Sequence, residues 1–205
     1  MPSGGILRIR NATGEVIIEG WDKPEVEITT IKSTQYEYLP DERARATAVL
    51  DRIRVTTELH GDELVVTTAF PRHRAFPPPS PVGKGPGFDL EYRIRVPRGI
   101  RLAIDHNNGE VHLADISGEV NVESLQGEIS VLLPADTAPA IDAKSDVGSV
   151  TTDFPGKQTH LRWRLGQQLM REAPSTAQKL HLRVGYGDIL ILKSNYPQPT
   201  AATAP

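Results

Sequence analysis

Apolar and polar residues alternate along much of the chain, and glycines interrupt the alternation. In Glu119-Val120-Asn121-Val122-Glu123 the two valines are predicted to point inward, and the polar residues between and beside them to face water. Each such stretch opens on one phrase: a glycine, an acidic or small residue, and a β-branched residue. The phrase begins at Gly14, Gly109, Gly118, Gly127, Gly148 and Gly187. The pattern predicts short strands separated by turns in which glycine adopts positive φ.

Three consecutive copies of the phrase, at Gly109, Gly118 and Gly127, follow one another at intervals of nine residues. Nine residues hold one strand and a turn but no helix, and so small a unit buries its apolar side only by stacking on its neighbours. We therefore expect an all-β fold, a β-solenoid or single-stranded β-helix with two phrases per coil and parallel stacking over 100–150. A β-sandwich of hairpins is the alternative, because hairpins also place strands about 8–12 residues apart.

Outside the repeated phrase, further strands are predicted at 26–31 and 64–68 from their alternating β-branched residues. One short helix is predicted at 41–52, with Asp41 as its N-cap and an apolar face that would cover one end of the solenoid. That face is made of Ala46, Val49, Leu50 and Ile53. The other end, near Leu190, shows no comparable cover in the sequence.

Two interruptions and a tail complete the predicted organisation. The proline-rich segment 70–87 cannot be regular structure and is predicted to be an exposed loop. The segment 167–178 is predicted to be a short helix or the tip of a long hairpin. Residues 1–193 would then form a single β-repeat domain, followed by a disordered Pro/Ala/Thr-rich tail at 194–205.

Composition narrows the class of protein. Hydrophobic residues make up 38% of the chain and aromatic residues 5%, which suits a thin core of aliphatic side chains. The net charge of −3 offers no positive field for nucleic acid. The absence of cysteine excludes a disulfide scaffold and a thiolate metal site. No apolar run approaches the length of about 20 residues that a membrane span requires.

Candidate chemical motifs fail on their spacing. The polar stretch 105–110 is not a calcium loop, because Glu110 stands where an EF-hand needs glycine and Ile116 where it needs a bidentate glutamate. Gly83-Lys84 lacks the flanking residues of a phosphate loop, and neither a serine-nucleophile elbow nor a zinc-protease motif occurs. His106 and His112 could approach across a turn but are expected to be solvated. The sequence therefore predicts no catalytic residue, cofactor or metal site, and no enzyme.

Two sets of charged residues recur along the strands. Glu110, Glu119 and Glu128 would align on neighbouring strands, as a solvated ladder rather than a differentiated acid–base pair. Arginines alternate with apolar residues and are predicted to pair with Glu15, Glu91 or Glu110 on neighbouring strands, rather than to form a basic binding stripe. These arginines are Arg8 and Arg10, Arg93 and Arg95, and Arg162 and Arg164. Of the two tryptophans, Trp21 is predicted to fill a corner of the core.

Several segments together resemble the bacterial putative-adhesin family, a β-strand repeat domain of unknown function. They are 7–22, with its Gly20-Trp21-Asp22 corner, 96–102, 109–131 and 185–189, so the resemblance spans most of the chain. The resemblance implies a β-helical fold and an exported protein. The family has no agreed catalytic residues, so none is carried over.

The function expected from these observations is a non-enzymatic structural or adhesive module of the cell envelope. It would be extracellular or periplasmic, with its signal peptide already removed, and would contact a cell-surface or envelope component through the segments 70–87 and 167–178. Weak homo-oligomerisation is also expected. The alternatives are a small carbohydrate-active enzyme on a β-helix, which would use the glutamate ladder, and a polymerising β-helical scaffold.

Overall fold

The structure is a computed structural model that describes residues 4–34, 43–44, 47–48, 50–70, 88–161 and 165–194. Over these residues the fold is all-β, and the described strands join in one mixed sheet of fourteen strands. In chain order these are β1 (Ile6–Thr13), β2 (Glu15–Trp21), β3 (Glu27–Thr34), β4 (Arg54–His60), β5 (Glu63–Ala69), β6 (Phe88–Pro97), β7 (Arg101–Ala114), β8 (Val120–Pro134), β9 (Ala140–Val147), β10 (Val150–Thr152), β11 (Lys157–His160), β12 (Gln167–Arg171), β13 (Lys179–Tyr186) and β14 (Ile189–Ser194).

The building unit is a pair of strand arms joined at a glycine, here called an arch. In β7, for example, the buried apolar residues are Leu102 and Ile104 before Gly109, and Val111 and Leu113 after it. The alternation therefore changes phase at the glycine, and the inward side chains of both arms join one hydrophobic cluster. Five such arches are described: β1–β2, β7, β8, β9–β10 and β13–β14.

Neighbouring arches pair in parallel, with a register irregularity at Ala12 where β1 pairs with β7. Each paired residue of β7 lies beside the residue 18 positions later in β8, as Leu102 beside Val120 and Gly109 beside Gly127. The parallel pairing predicted over 100–150 is thus observed between β7 and β8. Gly109 and Gly127 are paired corners of β7 and β8, and Gly118 lies at the opposite turn, before β8 begins.

The order of the arches in space differs from their order in the chain. The arch β1–β2 lies between β5–β6 on one side and β7 on the other. Likewise β13–β14 lies between β8 and β9–β10. The stack therefore runs β5–β6, β1–β2, β7, β8, β13–β14, β9–β10.

Antiparallel strands extend both ends of this stack. At one end β4 pairs with β5 and β3 with β6, and at the other β12 pairs with β9 and β11 with β12.

Two glutamine side chains form hydrogen bonds with the backbone of Val150 in the short strand β10. Its N–H donates to Gln167 Oε1 at 2.9 Å, and its carbonyl accepts from Gln158 Nε2 at 2.6 Å. Leu190 belongs to β14, between β8 and β10, and so does not lie at an open end.

The corner glycines are required by close approach between arches. Gly127 has φ of +126°, and a Cβ placed there would lie 1.7 Å from the carbonyl oxygen of Gly109. Positive φ was predicted for all six repeated glycines and is found at Gly14, Gly109, Gly127, Gly148 and Gly187. It is wrong for Gly118, where glycine is needed because a Cβ would lie 2.0 Å from the carbonyl oxygen of Ile100.

Of the remaining predictions, some are confirmed, one is wrong in part, and others concern residues outside the described part of the chain. The strands predicted at 26–31 and 64–68 are β3 and β5. The segment 167–178 begins with β12, the second strand of a hairpin with β11, so the helix interpretation is wrong over 167–171. Within 41–52 the described residues of the first ten positions are helical, but residues 41–42, 45–46 and 49 lie outside the described part of the chain. Residues 71–87 and 195–205 also lie outside it, and Ser194, assigned to the tail, ends β14.

Candidate functional site

A row of carboxylates follows the corner across five stacked arms, and we call it the acidic row. Four of its members come directly after a corner glycine, and the fifth, Glu91 on β6, pairs in register with Glu15. Parallel strands lie about 4.8 Å apart, so each carboxylate has a like charge as its neighbour. In stack order the row is Glu91, Glu15, Glu110, Glu128 and Asp188.

Local partners offset part of this charge. Arg93 Nε donates to the carboxylate of Glu91. Asp188 accepts hydrogen bonds from the hydroxyl and the backbone N–H of Ser149, both at 2.7 Å, and these hold the pKa of Asp188 below its usual range. Glu128 has no hydrogen bond or ion pair with the part of the chain that the structure describes. The row therefore keeps an excess of negative charge near its centre.

His112 lies at that centre, on the outer face of β7. Its Nε2 is 3.0 Å from Glu110 Oε2 and 3.8 Å from Glu15 Oε1. All three side chains are partly exposed, with 33% of the His112 side chain accessible. Sequence reasoning missed this group because Glu15 is 95 positions before Glu110, and only the strand register brings them together.

The predicted alignment of three glutamates is correct for two of them. Glu110 and Glu128 are cross-strand neighbours in the acidic row. Glu119 precedes β8 at the opposite turn, where it borders a separate groove of about 580 Å³. The prediction is wrong for Glu119 because the nine-residue spacing alternates between the two turns of the arch.

A groove of about 520 Å³ runs beside the acidic row, between the corner and strands β3 and β6. Glu15, Asp89 and Glu91 line it together with the apolar side chains of Ile31 and Phe88. Its walls are thus acidic at the corner and apolar at the sheet edge. Such a surface favours a metal cation or another positively charged ligand over a negatively charged one.

His106, predicted to be solvated, is completely buried beneath the same corner. The Gly14 carbonyl oxygen, 2.9 Å from Nε2, can only accept, so Nε2 carries the proton. Nδ1 then accepts from the hydroxyl of Ser124 at 3.0 Å. Burial lowers the pKa of His106. Since the neutral ring satisfies both partners, His106 joins three arches from the inside.

Arg8 and Arg95 pair with glutamates on neighbouring strands, as predicted, but with Glu63 and Glu19 rather than the expected ones, and Arg10 has no ion pair within the described part of the chain. Arg8 Nε is 2.5 Å from Glu63 Oε1 on the adjacent strand. Arg95 is 3.7 Å from Glu19, also across strands. Arg93 differs, because its partner Glu91 is on its own strand. Arg162 and Arg164 lie outside the described residues.

Trp21 does not belong to the hydrophobic core cluster, so its predicted place inside the core is wrong. Its ring is half-buried at the end of β2, with the Lys23 ammonium 4.8 Å from the ring centroid. Its indole N–H donates to the Glu25 carbonyl at 2.9 Å. Trp21 therefore ties down the turn that follows β2. Trp163 lies outside the described residues.

A set of exposed apolar side chains, here called the apolar corner, lies on the other side of the corner glycines. Tyr186 is 65% exposed and Leu125 is 67% exposed, and each lies one or two positions before a corner glycine. Tyr186 pairs in register with Val147, which is 38% exposed. Gly148, which follows Val147, donates its backbone N–H to the carbonyl of Leu165. The four residues thus lie along one edge of the last three arches, with Tyr186 beside Val147 and Leu125 one position off the register of Tyr186.

A second charged centre lies on the opposite arms of the same arches. Burial alone would raise the pKa of Asp142, but the hydrogen bond and charge of Arg183 outweigh it, and the pKa is lowered. Arg183 Nη2 is 2.5 Å from Asp142 Oδ2, and His181 Nδ1 is 3.3 Å from the same oxygen. The carboxylate is thereby neutralised by its own neighbours, which suits a structural role.

One solved structure is similar over nearly its whole length. It is from Clostridium sporogenes ATCC 15579 and is described as a putative cell adhesion protein. The match has a TM-score of 0.51 and 17% sequence identity, and covers 94% of this chain and 93% of that one. The chain has an adhesin-like fold. No protein-family model matches the chain, and no curated protein matches it. Among the described residues of this adhesin-like fold, no helix is long and apolar enough to cross a membrane.

Proposed function

We propose that the chain is a non-enzymatic adhesive or structural module of a bacterial cell envelope, located outside the cytoplasm. Support comes from the likeness, over almost all of both chains, to the clostridial structure described as a putative cell adhesion protein. We further propose that the stack is a short β-solenoid rather than a sandwich. The parallel pairing of β7 with β1, β2 and β8 supports this choice.

The observation that carries the binding role is the apolar corner. Leu125 and Tyr186 each leave about two thirds of their surface in water, on stacked neighbouring arms. Exposed apolar side chains that cluster mark contact surfaces more often than scattered ones do. Covering one such side chain fully stabilises a complex by about 1.5–3 kcal/mol, and tyrosine is enriched among the residues that dominate binding energy.

The partner we propose is a cell-surface or envelope component with an apolar patch of its own. The segments 70–87 and 167–178 were expected to contribute to its binding. In the second of these, only 172–178 is free of strand pairing, because β12 occupies 167–171. The apolar corner lies near this end of the stack, since Leu165 is two positions before the start of β12.

The test is retention of the purified domain on isolated bacterial envelopes, measured by co-sedimentation. The double variant Leu125→Ser, Tyr186→Ser should reduce retention by at least about tenfold, the loss of roughly 1.4 kcal/mol. Leu59→Ser is the matched control, because Leu59 is 63% exposed but lies on β4 at the other end of the stack. Equal retention of the double variant and the control, or no retention of the parent, would contradict the proposal.

One observation favours a second candidate, a carbohydrate-active enzyme. Glu15 and Glu91 both line the 520 Å³ groove and are paired in register. Neighbouring strands lie about 4.8 Å apart, and retaining glycosidases hold their two carboxyl groups about 5–5.5 Å apart. Turnover of a defined glycan that disappears in Glu15→Gln would replace the adhesive role with this one.

A further inference from the structure

We propose that Glu15, Glu110 and His112 form a binding site for one divalent transition-metal ion, and that Zn²⁺ is the ion that suits it best. Each residue offers one ligand atom, and the three atoms all lie within 4.8 Å of one another. The inference goes beyond the adhesive role and does not depend on it.

The strand register holds the three side chains in place. Glu110 and His112 are two positions apart on β7, so they project from the same face. Glu15 lies on β2, whose next residues, Val16 and Ile17, pair with Val111 and His112. The two strands are parallel neighbours near the middle of the stack. The ligands are therefore positioned by a paired backbone rather than by a loop.

The distances suit a small tetrahedral ion. Zinc binds imidazole nitrogen and carboxylate oxygen at about 2.0–2.2 Å, which places two ligand atoms of a tetrahedron about 3.3–3.5 Å apart. The separations from His112 Nε2, 3.0 Å to Glu110 and 3.8 Å to Glu15, lie on either side of that value. Small side-chain rotations would equalise them, because all three groups are partly exposed.

The donor set distinguishes between ions. Calcium and magnesium prefer oxygen ligands, whereas imidazole nitrogen suits zinc and the later transition metals. Three protein ligands leave the fourth position to water or to a group on a partner molecule. The site is thus expected to be open, as its exposure to solvent also indicates.

The surrounding charge also favours a cation. Glu128 lies beside Glu110 in register, and Glu91 lies beside Glu15. Of these two flanking carboxylates, Glu91 is paired with Arg93, and Glu128 has no partner in the described part of the chain. Stacked carboxylates about 4.8 Å apart repel one another, and a bound dication would remove that repulsion at the centre of the row.

The experiment is isothermal titration of the full chain, free of any polyhistidine tag, with ZnCl₂ at pH 7.5. We expect one Zn²⁺ per chain, bound too tightly for excess Ca²⁺ to displace. His112→Gln and Glu15→Gln should each weaken binding by at least about tenfold, because losing even an outer hydrogen-bond partner of a metal ligand costs about 10–100-fold. Titration with Co²⁺ should give a visible absorption band that the same variants lose.

His60→Gln is the matched control and should leave zinc binding unchanged. His60 also lies two positions from a glutamate on a strand, with its Nε2 3.6 Å from Glu58, but its cross-strand neighbour Glu63 is already paired with Arg8. Circular dichroism of each variant checks that it is folded, and the two ligand variants are independent of each other. Failure of the parent to bind Zn²⁺ would overturn the proposal, as would parental affinity in a folded His112→Gln or Glu15→Gln. Neither result would affect retention on envelopes.

Discussion

Replacing Gly127 with alanine is the sharpest perturbation of the arch stack. The new Cβ would lie 1.7 Å from the carbonyl oxygen of Gly109, whereas ordinary contacts begin near 3.4 Å. Because the obstacle is backbone of the next arch, it cannot be relieved by a side-chain rotation. The two corners would have to separate by more than 1 Å, at the centre of the β7–β8 pairing. The residue would also keep φ at +126°, outside the regions that alanine favours.

The expected cost follows from these two effects. Backbone strain at such a φ costs about 1–3 kcal/mol, and each corner hydrogen bond lost adds about 1 kcal/mol. We expect a loss of about 3–5 kcal/mol in the free energy of unfolding. For a chain of 205 residues that corresponds to a fall in Tm of roughly 10 °C.

Two other glycines separate the contributions. Gly61, at the β4–β5 hairpin, has φ of +64° but nothing within 4 Å of its Cβ position. Gly61→Ala should therefore cost only the left-handed backbone, about 1–2 kcal/mol. Gly99 has neither feature, and Gly99→Ala should be nearly neutral. Urea unfolding followed by circular dichroism measures all three, and a Gly127→Ala loss no larger than that of Gly61→Ala would refute the close-approach argument.

Two further predictions concern the buried polar groups. Burial lowers the pKa of His106 in the folded state below its unfolded value of about 6.5. The contribution of His106 to stability is therefore fully present above about pH 6.5. It is lost as the pH falls from about 6.5 toward the lower folded-state pKa. The free energy of unfolding should therefore fall less between pH 7.5 and pH 5 in His106→Gln than in the parent. An equal fall in the two proteins would show that His106 is not the cause. Burial raises the pKa of Tyr92 to about 12, and its hydroxyl is 2.6 Å from that of Thr68. Tyr92→Phe should cost about 1–3 kcal/mol by leaving the buried Thr68 hydroxyl without this partner, whereas Tyr186→Phe should be neutral in the same urea titration.

The arch itself could be predicted from the sequence. Alternation of apolar and polar residues determines which side chains face inward. A glycine is needed wherever the backbones of neighbouring corners touch. Both features therefore recur at regular positions in the sequence. Val120 and Val122 are buried, and Asn121 and Glu123 exposed, as the alternation predicts. The phase change at Gly127 is what distinguishes a corner from an ordinary strand end.

The neighbours of each arch could not be predicted in the same way. Every arch presents similar inward side chains and similar corners, so local sequence does not say which two will stack. The burial of His106 depends on Gly14 and Ser124, which belong to two other arches. The group formed by Glu15 and His112 depends on the same long-range choice. A sequence without aligned relatives carries no signal for such pairings.

The permuted order of the stack constrains how the chain acquires its structure during synthesis. The arch β1–β2 leaves the ribosome first, yet both of its neighbours, β5–β6 and β7, are made later. It therefore cannot serve as a template to which successive units are added, as in a linear repeat array. The pair β7–β8 is adjacent both in sequence and in space, with only 18 positions between paired residues. Since short loops close at the lowest entropic cost, this pair is the natural nucleus. The amino-terminal segment must wait and then insert beside it, which couples the two ends of the domain into one cooperative folding event.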